Sequence, residues 1–154
     1  MKLSTPAQDH LNISGDVEAL INGKVLKIYG STVSAVESLA LIPATANASI
    51  GAATLLVTVS NNGAGTGINL ATTSTNGVIA KAPAETWIGT YVATGYPSFA
   101  RMCEVADAGG AVTTEERLQF TVGTVGKEII ISSALKTLGD EQRINAAYFG
   151  TPAE

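Results

Sequence analysis

The chain has 154 residues, the size of one ordinary domain with its own core. Only 14% of the residues are charged, about half the share usual in a soluble domain, and the net charge is −4. The few Lys and Arg are scattered, which argues against nucleic acid as a partner, and no apolar run approaches the roughly 20 residues of a membrane-spanning helix. Thr, Ala, Ser, Gly and Asn fill the gap left by charge, a balance that predicts surface hidden in an assembly rather than a free monomer.

Residues 1–15 read as an extended N-terminal arm, polar, carrying Pro6 and held only by Leu3, Leu11 and Ile13. Met1 to Pro6 lacks the apolar stretch of a signal peptide, so the sequons at Asn12 and Asn47 carry no expectation of glycosylation. Residues 16–154 read as a single β-rich domain. Asp16 to Asn22 places Val17, Leu20 and Ile21 at i, i+3 and i+4, which predicts one short helix ending before Gly23. Val25 to Tyr29 alternates and stops at Gly30-Ser31. Leu55 to Ser60 puts Leu55, Val57 and Val59 on one face and ends in the turn Asn61-Asn62-Gly63.

Gly63-Ala64-Gly65-Thr66-Gly67 has the look of a dinucleotide loop, but the residues after it, including Ile68 and Leu70, are poor helix formers. Asn61 to Asn76 is therefore expected as a flexible, partner-contacting loop. Gly77 to Lys81 and Trp87 to Thr94 read as strands. Phe99 to Val105 is apolar on one face except for Arg101, and turns at Asp107 to Gly110. Leu118 to Val122 alternates cleanly. Ile129-Ile130-Ile131 suggests a strand buried on both sides. Ile144 to Phe149 is the expected last strand, closed by Gly150 and Pro152. About eight or nine short strands, with turn signals roughly every 10 residues, predict an all-β antiparallel sandwich or barrel-like domain with at most one short helix.

Catalytic chemistry is scarce. His10 is the only histidine and lies in the expected arm, where it reads as a solvated residue. Cys103 is the only cysteine, so neither a disulfide framework nor a typical zinc site is expected, and no metal or cofactor is implied. Glu115-Glu116 and Asp140-Glu141 sit in expected turns beside Arg117 and Arg143, and read as solvated charges. Arg101 predicts an edge position or a carboxylate partner among Glu104, Asp107 and Glu128. Trp87 reads as a core or interface anchor, with a glycan platform as the alternative.

Several stretches in order resemble small β-rich virion structural proteins of tailed bacteriophages. They are Gly77-Val78-Ile79-Ala80-Lys81, Trp87-Ile88-Gly89-Thr90-Tyr91-Val92-Ala93-Thr94-Gly95, Phe99-Ala100-Arg101-Met102 and Asp107 with its glycine turn. Phe120 to Thr124 with Glu128 to Ser133 downstream, and Pro43 to Ala46 with Thr54 to Val59 upstream, continue the likeness across about residues 25–149. The chain departs from the pattern in having Gly30-Ser31 where Ser-Gly is usual, and in its long lead-in from Asn12 to Gly23. The resemblance implies a virion component without catalytic residues, made in the bacterial cytoplasm. Its most concrete form is a capsid decoration or cement subunit. The expected partners are further copies of the chain, with a trimer as one form, and the major capsid protein or other virion proteins. The other reading is a tail or host-recognition module binding a receptor or glycan. Candidate interface residues are Leu3, Leu11, Ile13, Asn61, Asn62, Ile68, Leu70, Trp87, Arg101, Tyr148 and Phe149.

Overall fold

Residues that alternate apolar with polar need two different faces, and the fold supplies them. A computed structural model describes residues 1–150, so Pro152 lies outside the described residues. The chain runs β1 (Lys2–Leu3), α1 (Thr5–Ile13), α2 (Val17–Ile21), β2 (Val25–Ser31), α3 (Ala35–Ala40), β3 (Thr54–Asn61) and β4 (Leu70–Thr75). It continues through β5 (Val78–Lys81), β6 (Trp87–Thr90), β7 (Tyr96–Cys103), β8 (Leu118–Gly123), β9 (Ile129–Ile130), β10 (Glu141–Ile144) and β11 (Tyr148–Gly150). The main sheet has the order β1-β8-β7-β2-β3-β6-β10, with every neighbouring pair antiparallel. β9 joins it as a short parallel partner of β8. A second antiparallel sheet has the order β11-β5-β4.

The core fills the space between the main sheet on one side and α1, α2 and the small sheet on the other. Leu26 and Ile28 of β2, Ala100 and Met102 of β7, and Leu118, Phe120 and Val122 of β8 point into it. They meet Ala7 of α1, Leu20 and Ile21 of α2 and Leu70 of β4, with Ile79 and Phe149 packed at its margin. The architecture is thus the expected antiparallel, sandwich-like β fold. A smaller cluster, Tyr29 stacked on Phe99 at 5.2 Å with Ala53, lies on the opposite face beneath Leu41, Ile42 and Ile50. β2 and β7 approach so closely at Gly30 that a Cβ there would sit 1.9 Å from the Tyr96 carbonyl oxygen. That closeness lets Ser38 of α3 hydrogen-bond both Tyr96 and Ser31.

Several expectations need correction. Residues 1–15 are not an extended arm: β1 pairs with β8, and α1 begins at Ser4, whose Oγ accepts the Ala7 amide at 3.3 Å, with Pro6 in the first turn. Among the described residues there are three short helices rather than one, α3 being capped by Ser34. The expected loop from Asn61 to Asn76 contains β4, which pairs with β5 across the Asn76-Gly77 turn. The Ile129–Ile131 run is not buried on both sides. β9 pairs only with β8, and Ile130 is exposed while Ile131 is buried. The single strand expected over 144–149 is split, because β10 closes the main sheet beside β6 and β11 crosses to the small sheet beside β5.

Candidate functional site

The chemistry-bearing side chains are engaged in holding the fold. His10 is not a solvated arm residue. It projects from α1 with Nδ1 2.7 Å from Glu116 Oε1, and Lys24 bridges Glu116 at 3.1 Å and Glu104 at 2.8 Å. Burial opposes the charge on both Lys24 and Glu116. Their hydrogen bonds outweigh it, raising Lys24 above the ordinary lysine value and lowering Glu116 below its ordinary carboxylate value. Burial, with Asp107 nearby, pushes the Cys103 thiol up to about 12, so it stays protonated and inert at neutral pH.

Beneath the covering segments 41–53 and 104–117, pairing places Lys2, Gln119, Arg101 and Lys27 in one row across β1, β8, β7 and β2. Like charges directly opposite one another are unfavourable unless other groups compensate them. Here main-chain carbonyls do so. Lys2 and Gln119 both donate to Pro43, Arg101 donates to Thr45, and Lys27 donates to Val105 and Asp107. Arg101 is fully buried in a central strand and its side-chain partner is the Gln119 amide, not a carboxylate as the sequence suggested. Asp107 instead receives two hydrogen bonds of 2.6 Å from Arg117, both side chains being 1% exposed. Of the carboxylates expected as solvated turn charges, Glu116 is instead tied to His10 and Lys24. This row clamps two long connections onto the sheet.

Open surface chemistry lies elsewhere. A groove of about 1180 Å³ runs between the main sheet and the small one. Leu3 and Leu11 of the N-terminal segment form part of its lining, Ile79, Tyr148 and Phe149 of the small sheet another part, and Met102, Leu118 and Phe120 belong to the core beneath. Met1, Ile130 and Tyr148 at the groove are exposed by 59%, 57% and 73%, values that mark them as available to a partner.

The structure thus brings Leu3, Leu11, Tyr148 and Phe149 of the expected interface to one place. Ile13 is also exposed, at the end of α1. Asn61 ends β3 and Asn62 follows it with positive φ, in a turn. Ile68, Leu70, Trp87 and Arg101 are buried within the chain itself and offer a partner no surface, a correction to their assignment as interface residues. The Trp87 indole N–H donates to Glu85 Oε2 at 2.7 Å, and Glu85 also binds Asn61 and Asn69. The ring is a core anchor, which removes the aromatic platform a glycan site would have used there.

Further exposed apolar side chains were not foreseen: Val33, Val36 and Leu39 before and on α3, Val92 beside Leu55, Ile88 and Thr90, and Leu135 and Leu138 in the connection from β9 to β10. Hydrogen bonds tie their segments together. Ser38 of α3 holds Tyr96, Gly95 and Lys136 exchange two 2.9 Å bonds, and Leu138 N donates to Thr94 Oγ1. Val36 and Leu39, three residues apart on α3, face water instead of the core, with Val33 just before the Ser34 cap.

No protein-family model matches the chain, and neither a curated protein nor a solved structure does. Among the described residues, no group of three or more His, Cys, Asp and Glu side chains is placed to hold a metal ion.

Proposed function

We propose that this protein is a structural subunit of a tailed-phage virion, a capsid decoration protein that binds the shell by protein–protein contact. The apolar groove carries this reading. Its volume and apolar floor suit an inserted apolar side chain of a neighbouring protein, exposed apolar side chains stand at its rim, and Asp16, Glu18, Glu128 and Arg143 in its lining would meet polar groups of that neighbour. The low charged fraction agrees with a surface covered in an assembly. The clamped connections supply a rigid scaffold, as a cement subunit requires if it is to oppose outward pressure on the shell. The likeness to phage structural proteins supplies the class of particle.

The test is reconstitution of undecorated shells with purified chain. Expected are high copy number per particle, raised thermal or mechanical resistance of the shell, and loss of both with Tyr148→Asp or Ile130→Asp. Shells that keep full stability without the protein, or binding untouched by both rim substitutions, would overturn the proposal.

A further inference from the structure

The groove is not uniform in character. Leu26, Met102, Leu118 and Phe120 give it an apolar floor, with Met1, Ile130 and Tyr148 exposed at its rim. Its charged lining is Asp16, Glu18, Glu128 and Arg143. Two of these four are offset within the chain. The Met1 ammonium meets Glu128, and Arg143 is paired with Glu141 at 3.2 Å. Asp16 and Glu18 have no cation partner among the described residues. They flank Val17 at the start of α2. At the other end of α2, Asn22 Oδ1 accepts the Leu70 amide at 2.8 Å and so ties the helix to β4. That strand adds the exposed Thr72 and Ser74 to the same lining.

We infer that the groove takes a protein segment carrying an apolar side chain beside a lysine or arginine, and that Asp16 and Glu18 read the cation. This rests on the groove as the site of shell binding, and names the chemistry of the segment bound there. Charge complementarity chooses the occupant. A wholly apolar segment would strip water from two carboxylates and offer them no donor, and an acidic segment would add like charge. A basic side chain offers donors only, which is what these carboxylates lack. Each already uses one oxygen in the fold: Asp16 Oδ1 accepts the Ala19 amide at 3.1 Å, and Glu18 Oε1 accepts Asn22 Nδ2 at 3.1 Å. The second oxygen of each has no hydrogen-bond partner among the described residues, and Asp16 is exposed and Glu18 half-buried, so both can reach an incoming cation.

Fluorescence anisotropy on the full chain tests it. The probes are three dansyl-labelled peptides in which Leu-Phe-Leu is flanked on both sides by Lys, by Gln or by Glu. The Lys-flanked probe should bind roughly 10-fold tighter than the Glu-flanked one, with the Gln-flanked probe between them. Salt at about 1 M should close most of that gap. So should Asp16→Asn with Glu18→Gln. Both changes keep shape and acceptor: Asn still caps α2 and Gln still accepts from Asn22, so an unchanged thermal melt shows the fold intact. Asp9→Asn, an exposed carboxylate of α1 outside the groove, should leave the gap as it is. Tyr148→Ala should weaken all three probes alike. Equal affinity for the three probes, a gap that survives Asp16→Asn with Glu18→Gln, or binding by none of them overturns the inference. The reading beneath it fails separately. Equal affinities that all fall with Tyr148→Ala leave the groove a docking site without charge preference, and reconstitution with shells decides whether the shell docks there.

Discussion

Arg117 and Asp107 form the most consequential pair of side chains in the protein. Burial alone would raise the Asp107 carboxyl, but the Arg117 hydrogen bonds and the Gly109 amide hold it below its ordinary value of 3.8. Removing one partner strands the other charge in the interior, so Asp107→Asn should cost about 3–5 kcal/mol in denaturant unfolding. The pH dependence follows from the direction of the shift. Because the carboxyl is more acidic in the folded chain, its stabilisation is complete above the unfolded value and disappears as pH falls through the lower folded value. Glu116, also lowered, behaves in the same way. Urea unfolding from pH 6 down to pH 2.5 should therefore show stability lost below about pH 4, with a shallower loss in Asp107→Asn. An equal slope in both proteins would remove Asp107 from the account. Neither Arg101's partner nor Arg117's was legible in the chain, for one reason. Gln119 lies opposite Arg101 only through the β7–β8 register, and Asp107 reaches Arg117 only after the connection folds over the sheet.

At the level of elements, helices were missed where their apolar residues face outward or are few. Inward periodicity revealed α2, through Val17, Leu20 and Ile21. The helix α1 buries only Ala7, and α3 turns Val36 and Leu39 to water, so neither has a core-facing stripe to read. Their capping residues were the better guide: Ser4 with Pro6 at the start of α1, and Ser34 with Glu37 at the start of α3. Strand β4 escaped because a Thr-rich strand exposed on both faces does not alternate, although Asn76-Gly77 is a strong hairpin signal. The Ser4 cap also ties α1 to the sheet, since its Oγ accepts the Arg117 amide at 2.8 Å and donates to the Glu115 carbonyl at 2.9 Å. Ser4→Ala should therefore lower global stability by about 2 kcal/mol, the upper end for a cap, and speed amide exchange across α1 more than across β2. Uniform protection in both elements would show that the helix is held by other contacts.

On the scale of the whole molecule, period-2 alternation and turn spacing were enough to reveal a layered antiparallel fold. They could not reveal strand order, because β2 and β3 sit between β7 and β6, so pairing joins segments remote in the chain. The groove was legible only in part. Leu3 and Leu11 stood out as apolar residues in a polar stretch and Tyr148 and Phe149 as the end of an expected last strand, whereas Met1, Ile79 and Ile130 came to it through topology. A groove of about 1180 Å³ with an apolar floor has a consequence that needs no virion partner. The native chain should bind the anionic dye ANS at neutral pH and release it in the same cooperative transition that melts the near-ultraviolet circular dichroism. That pattern differs from a molten globule, in which dye binding accompanies loss of the near-ultraviolet signal. Arg143 in the lining attracts the anionic dye and Asp16, Glu18 and Glu128 oppose it, so adding two carboxylates with Ile130→Asp and Tyr148→Asp should reduce native-state fluorescence severalfold. Val36→Asp, on the exposed side of α3 and away from the groove, should leave it unchanged. Dye binding that responds to Val36→Asp instead would place the dye at α3 and leave the groove closed in solution.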